Sequence, residues 1–289
     1  MMQPGMDEAK RLIVNADDLG LHASVNRAIF RAHREGIVTS STILVGGTAF
    51  NEALSGIKEN PELGVGVHLC LVDQFPVSDP VHIPTLVNAE GRFFSTYGLF
   101  LRHYLLGKID LVDVRRELEA QISMAIEGGI TPTHLDSHQH LHLLPRISRL
   151  VFDLSRKYGI KRIRIPAESA MSGLKADSWK RRFQGKLVSL LAEARRREFG
   201  RLGMLMPDHF VGFARGGRMD APAWRNLIPR LRGGVTEVMV HPGDDNKALT
   251  AYSGWDYHWS EELKALTDPE IRSSLEAHGI QLIHYGDIS

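Results

Sequence analysis

The sequence predicts an α/β fold, a distorted (β/α) barrel of the TIM type, on three observations. Short apolar runs alternate with helix-period stretches, the 289 residues approach the roughly 250 of such barrels, and histidines and carboxylates collect in or just after the apolar runs. Leu12-Ile13-Val14 is the first strand; it leads into Asn15-Ala16-Asp17-Asp18-Leu19-Gly20, after which Ser24 can cap a helix through Glu35. Strands two and three fall at 41–45 and 63–72, with a helix from about Phe50 to Lys58 between them. Residues 111–127 have helical spacing and close on Gly128-Gly129. Strand four fits 133–137, and Pro145 opens a helix to Tyr158. Strands at 162–165, 209–213, 235–240 and 280–284 bring the total to eight, with helices near 222–231 and 261–278. The whole chain, 1–289, is one domain on this reading. Insertions at 73–108 and 167–206 each follow a predicted strand, over the face where a barrel keeps its catalytic groups.

Composition narrows the function classes. With 35 Lys+Arg against 34 Asp+Glu, the charge of +1 argues against a broad electrostatic footprint for nucleic acid. One cysteine, Cys70, excludes a disulfide framework and a cysteine-built zinc site, and an unpaired thiol suits a reducing cytoplasm. Asp7 and Glu8 stand where a signal peptide has its apolar stretch, and no apolar run reaches the ~18 residues of a membrane span. The second insertion gathers Lys180, Arg181, Arg182, Lys186, Arg195, Arg196, Arg197 and Arg201 around an apolar stretch at 187–192. A solvated helix face is the preferred reading over a basic amphipathic helix at an anionic lipid surface, so peripheral membrane contact stays open. Oligomeric state also stays open, a homodimer included.

The polar residues point to a metal. Eight of the 14 histidines sit in or just after a predicted strand, which chance scatter would not favour. Asp17-Asp18 reads either as a turn pair capping the next helix or as two carboxylates of which one holds a metal and the other a water. His68 lies in the apolar strand Gly64-Val65-Gly66-Val67-His68-Leu69, where an ionisable group costs free energy unless paired or metallated. In Thr133-His134-Leu135-Asp136-Ser137-His138-Gln139-His140-Leu141-His142, a persisting strand would put His134, Asp136, His138 and His140 on one face. Which of His138 and His140 ligates is left open, and Asp136 can orient an imidazole through its second nitrogen. His241 ends an apolar strand before Pro242-Gly243, and Asp244-Asp245 either bind substrate hydroxyls or are solvated.

Asn15-Ala16-Asp17-Asp18-Leu19-Gly20, Gly66-Val67-His68-Leu69, His134 to His142 and His241-Pro242-Gly243 resemble the four signature blocks of the YdjC-like carbohydrate deacetylases, in that family's order. The family includes ChbG-like chitooligosaccharide deacetylases and a hopanoid-associated branch. The resemblance implies a deacetylase acting on N-acetylated amino sugars with one divalent metal ion, magnesium or zinc before manganese, cobalt or nickel. Carried over by motif, Asp18, His68 and His138 ligate the metal, Asp17 is the general base and His241 the general acid. His134, Asp136, His140 and Asp244 are candidates for supporting or substrate contacts. Two other readings compete: an amidohydrolase or phosphoesterase type of metallo-barrel, which usually has His-x-His on strand one, and a non-catalytic sugar- or lipid-binding barrel, which needs no metal.

Overall fold

The computed structural model describes residues 9–168, 173–174 and 179–289. Its centre is β1 (Lys10–Leu19), joined in parallel to β2 (Ser40–Ile43), to β6 (Gly234–Val240) and, at its first residues, to β7 (Ile280–Leu282). β3 (Gly64–Leu69) and β4 (Leu135–Ser137) extend the sheet beyond β2, and β5 (His209–Val211) extends it beyond β6. Every pairing is parallel, and helices fill the connections: α1 (Ala23–Arg34), α2 (Phe50–Glu59), α3 (Tyr97–Leu105), α4 (Leu111–Glu127), α5 (Pro145–Lys157), α6 (Trp179–Arg201), α7 (Ala221–Leu227), α8 (Asn246–Ser253), α9 (Trp259–Leu266) and α10 (Pro269–Ala277). The result is a single α/β unit, a curved parallel sheet forming a half-barrel wrapped by helices.

Seven strands, not eight, form among the described residues. The expected strand at 162–165 makes only isolated bridges, Ile163 to Leu135 on one side and Arg162 to Leu205 on the other. Pro166 has no N–H to continue either ladder, so the segment crosses the gap between β4 and β5 without joining the sheet. Strand three ends at Leu69 rather than Val72.

Local chemistry also moves the helix ends. His22, not Ser24, caps α1: its Nδ1 accepts from the Ser24 N–H at 3.1 Å. Ser24 Oγ instead accepts from the backbone N–H groups of Asp244 and Asp245, which ties down the loop after β6. The helix expected over 261–278 is two helices, because Asp268 must leave the helical region ahead of Pro269 and then caps α10. The one expected at 222–231 ends at Leu227 and finishes as a short 3-10 turn, Ile228–Arg230.

The two faces of the sheet differ in character. Leu12, Val14 and Ala16 of β1 belong to the main core beneath the helices. The alternate residue Ile13 joins Val235, Ile283, Tyr285 and Ile288 in a small second cluster. Asn15 and Asp17 continue the Ile13 face at the two-residue period of a strand, so the concave side has an apolar floor and polar residues above it.

Candidate metal and acid-base site

A β-bulge builds the acidic doublet. Ala16 pairs with Ser41 but Leu19 with Ile43, so three steps on β1 oppose two on β2, and Asp18 takes a left-handed φ of 68°. The doublet is therefore not extended, and successive carboxylates both enter the concave side, as bulges beside functional sites allow. The described non-glycine residues with positive φ are Asp18, at the bulge of β1, Asp73, in the loop after β3, and Gln139 and His140, just after β4. Such strain persists only where the surroundings over-determine it.

Above the apolar floor lies a ladder of buried polar contacts. Tyr285 Oη donates to Glu237 Oε2, and Glu237 Oε1 accepts from Arg164 Nε at 2.7 Å. Arg164, fully buried, grips both oxygens of Asp17 at 2.6 and 2.7 Å and reaches Asp136 Oδ2 at 2.6 Å. Asp136 Oδ1 takes a hydrogen bond from His68 Nδ1 at 2.8 Å, with Thr42 Oγ1 donating to Asp136 Oδ2. That bond fixes the His68 tautomer and aims Nε2 at Asp18 Oδ1, 3.4 Å away. The same Asp18 oxygen lies 3.2 Å from His138 Nδ1.

Asp18, His68 and His138 thus present three donor atoms within 4.8 Å of one another, all buried. A second set, Asp17 with His68 and Asp136, is equally compact, but Arg164 already occupies its two carboxylates and would repel a divalent cation. The first set fits a divalent ion on its own chemistry. Two imidazoles and a carboxylate are ordinary ligands for such an ion. Charge agrees, since one guanidinium and one divalent ion balance the three aspartates. Glu237, pushed up to about 7 by burial against the pull of Arg164, is the acid that can stay protonated near neutrality.

Titration follows from these contacts. Burial opposes the charged form of Asp17, but the Arg164 fork outweighs it and holds this carboxyl well below the usual range. Asp18 is lowered too, against burial, chiefly by His138. Burial alone would depress His68; Asp136, with Asp17 and Asp18, instead pushes it up to about 9. His241, at the end of β6, has Nε2 4.0 Å from Asp17 Oδ2, and burial lowers it against the pull of Asp17 and Asp18. Its backbone N–H donates to Glu262, and its ring meets Tyr257 edge-on.

The other histidines of the rich run do different work. β4 stops at Ser137, and φ values of 53° and 57° at Gln139 and His140 turn the chain, so strand alternation does not carry His138 and His140 onto one face. His140 stands instead near Phe210 and Phe213, where burial lowers it well below its ordinary value. His142 Nε2 donates to the Arg164 carbonyl while Nδ1 accepts from Ser137, which braces the segment bearing Arg164. His134 stacks on Tyr285 with centroids 3.5 Å apart, and burial drops it to about 3. Asp244 pairs with Arg27 near the surface, outside the cluster. Sequence reasoning overlooked Arg164, Glu237, Glu262 and Thr42. Gly66 is glycine for a local reason: a Cβ there would lie 2.5 Å from the His134 ring. Gly66→Ala is expected to cost about 1–3 kcal/mol by overpacking, read as a fall in the urea midpoint.

Known proteins share this chain's pattern. A model of the YdjC-like protein family matches residues 11–277. The carbohydrate deacetylase of Brevibacillus brevis is 31% identical over 279 residues, covering 96% of this chain and 99% of that protein. The carbohydrate deacetylase of Homo sapiens is 32% identical over 295 residues, covering 96% of this chain and 91% of its own. A solved structure described as a putative cellobiose-phosphate cleavage protein, from Enterococcus faecalis V583, has a TM-score of 0.77 at 27% identity, covering 96% of this chain and 98% of that one. With the four blocks on one concave face and the family pattern running nearly end to end, the chain belongs to the YdjC-like family.

Proposed function

We propose that this protein is a carbohydrate deacetylase, a hydrolase that uses one divalent metal ion, magnesium or zinc, to remove the acetyl group from an N-acetylated amino sugar. The convergence of Asp18, His68 and His138 beside the Arg164-held Asp17 supports this reading most directly. The relatives named carbohydrate deacetylase, similar over almost their whole length, support the substrate class.

Asp18, His68 and His138 would hold the ion, which when bound would supply Lewis-acid chemistry toward the acyl oxygen and a water. Asp17 takes the proton of the attacking water, and the two-point grip of Arg164 keeps its carboxylate in one orientation. His241 gives a proton to the amide nitrogen as the C–N bond breaks, since an unprotonated amine leaves poorly. Water's hydroxyl ends on the acyl carbon, so acetate and a free amino sugar result. The 4.0 Å between His241 Nε2 and Asp17 Oδ2 is longer than a direct hydrogen bond, which leaves the two groups free to serve different substrate atoms.

Incubation with N,N′-diacetylchitobiose and with an N-acetylglucosaminyl lipid, scoring acetate before and after chelation, tests the reading; no metal-dependent acetate from either would reject it. His68 supplies an independent test, because its ring must lose a proton to bind metal. Titration calorimetry in two buffers of different ionisation heat near neutrality is expected to show about one proton released per ion, with apparent affinity rising about tenfold per pH unit up to about 9. The metal-free protein should behave in the same sense. The charged His68 ring stabilises it fully below the ordinary 6.5, and that contribution is lost as pH rises through about 9. His138→Ala should abolish the metal uptake, and unchanged stoichiometry would remove it from the ligand set.

A further inference from the structure

The geometry points to α6 as a docking helix that lays this protein on an anionic phospholipid bilayer. Trp179, Phe183, Leu187 and Leu190 fall on one side of the helix at intervals of four, four and three residues, and they are 74%, 66%, 50% and 71% exposed. Further along the same side, Arg197 and Arg201 line an open cleft with Arg149, Ala194, Glu198 and Leu202. Arg182 and Lys186, also exposed, flank the apolar half. The 23 residues extend about 35 Å, enough for an apolar stripe and a basic cleft to meet one surface together.

The inner side of α6 is committed elsewhere. Ala192 and Phe199 are buried, Arg181 donates to the carbonyls of Phe213 and Gly216, Ser189 Oγ accepts from the Glu168 N–H, and Arg196 donates to the Pro207 carbonyl. The helix is thus held with its apolar stripe outward, where large side chains in water are unfavourable unless something covers them. Charge selects the cover. An interfacial helix combines such a stripe with lysine and arginine because acyl chains take the first and anionic headgroups the second. A second copy of the chain is the poorer partner, since pairing this face with itself would gather two sets of Arg182, Lys186, Arg197 and Arg201 into one interface. No described helix is long and apolar enough to cross a membrane, so contact would lie in the interface plane. The reacting groups are close by: Phe213, on which α6 rests, lies 5.8 Å from the His140 ring, in the loop that leaves His138.

Sedimentation with sucrose-loaded vesicles tests this on the full chain. Phosphatidylcholine vesicles containing phosphatidylglycerol are expected to bind the protein, and phosphatidylcholine alone to bind it far less. A triple substitution, Trp179→Ser with Phe183→Ser and Leu190→Ser, should lower partitioning about a hundredfold. Arg182→Gln and Lys186→Gln should each lower it about fivefold and weaken its salt dependence. Thermal melts of these variants should match the wild type, because the altered side chains face solvent. Equal binding to neutral and anionic vesicles, or none to either, would overturn the proposal. So would a wild-type dimer in sedimentation equilibrium that the triple substitution dissociates, which would assign the face to self-association.

Discussion

Arg164→Leu is expected to destabilise the protein by about 3–5 kcal/mol, the scale seen when one partner of a buried ion pair is removed. Leucine replaces only the inner part of the arginine stem, so a packing loss accompanies a larger electrostatic one: Asp17, Asp136 and Glu237 stay buried together with no guanidinium between them. The pH dependence separates this cause from poor packing. With Arg164 present, Asp17 and Asp136 have lowered values, so the stability they contribute is present above the ordinary carboxylate value of 3.8 and lost as pH falls through their lower folded values. Without Arg164, burial raises the same groups, they protonate more readily in the folded state, and the gap between variant and wild type should narrow as pH falls toward 4. Denaturant midpoints measured at neutral and mildly acid pH check both the size and the trend; a gap independent of pH would assign the effect to packing. Arg164→Lys divides the effect further. It keeps the charge but lacks the planar fork that binds both Asp17 oxygens, so it should recover part of the stability and little of the positional control of Asp17.

Why Arg164 escaped a reading of the sequence is itself physical. In Arg162-Ile163-Arg164-Ile165-Pro166 the alternation looks like a half-exposed strand with both arginines toward water, and for Arg162 that is nearly true. Nothing local says that the second arginine points into a ring of acids contributed by residues 17, 136 and 237. The signal was available elsewhere, in Glu237. A lone carboxylate in Val235-Thr236-Glu237-Val238-Met239-Val240 invites the argument that singled out His68, namely that a charge inside an apolar strand requires a partner. The same rule therefore recovered one half of the site and could have located the counter-charge of the other. Alternation failed at the rich histidine run for a different reason. It holds only while the backbone stays extended, and the left-handed turn at Gln139 and His140 sends consecutive imidazoles to Asp18, to an aromatic wall and to the Arg164 carbonyl. Seven of the eight expected strands and most expected helix boundaries were legible because burial and prolines act locally, whereas the bulge that turns Asp18 inward depends on the register of β2.

Asp17→Asn is expected to lower kcat by about 10²–10⁴ while leaving the metal in place. The substitution keeps the size of the side chain and removes the charge that accepts a proton. Asp18, His68 and His138 form the proposed ligand set without Asp17, so metal stoichiometry should match the wild type. An amide also offers Arg164 one acceptor instead of two and turns an N–H₂ group toward the guanidinium, so a modest loss of stability should accompany the loss of rate. The activity loss must therefore be measured well below the variant's melting temperature, and KM should change much less than kcat if substrate contacts are intact. Turnover near the wild-type level with full metal occupancy would remove Asp17 from its role. The partner variant His241→Ala completes the assignment by a different readout. Burial keeps the imidazole below its ordinary 6.5, so its acid form is depleted as pH rises through a value under 6.5, and that depletion should shape the descending alkaline limb of kcat/KM. Removing the ring should flatten that limb as well as slow the reaction, whereas a residue that merely fills space beside Tyr257 would slow it without changing the limb. The two variants thus divide proton removal from proton delivery, with Arg164 holding the first group and Glu262 the backbone of the second.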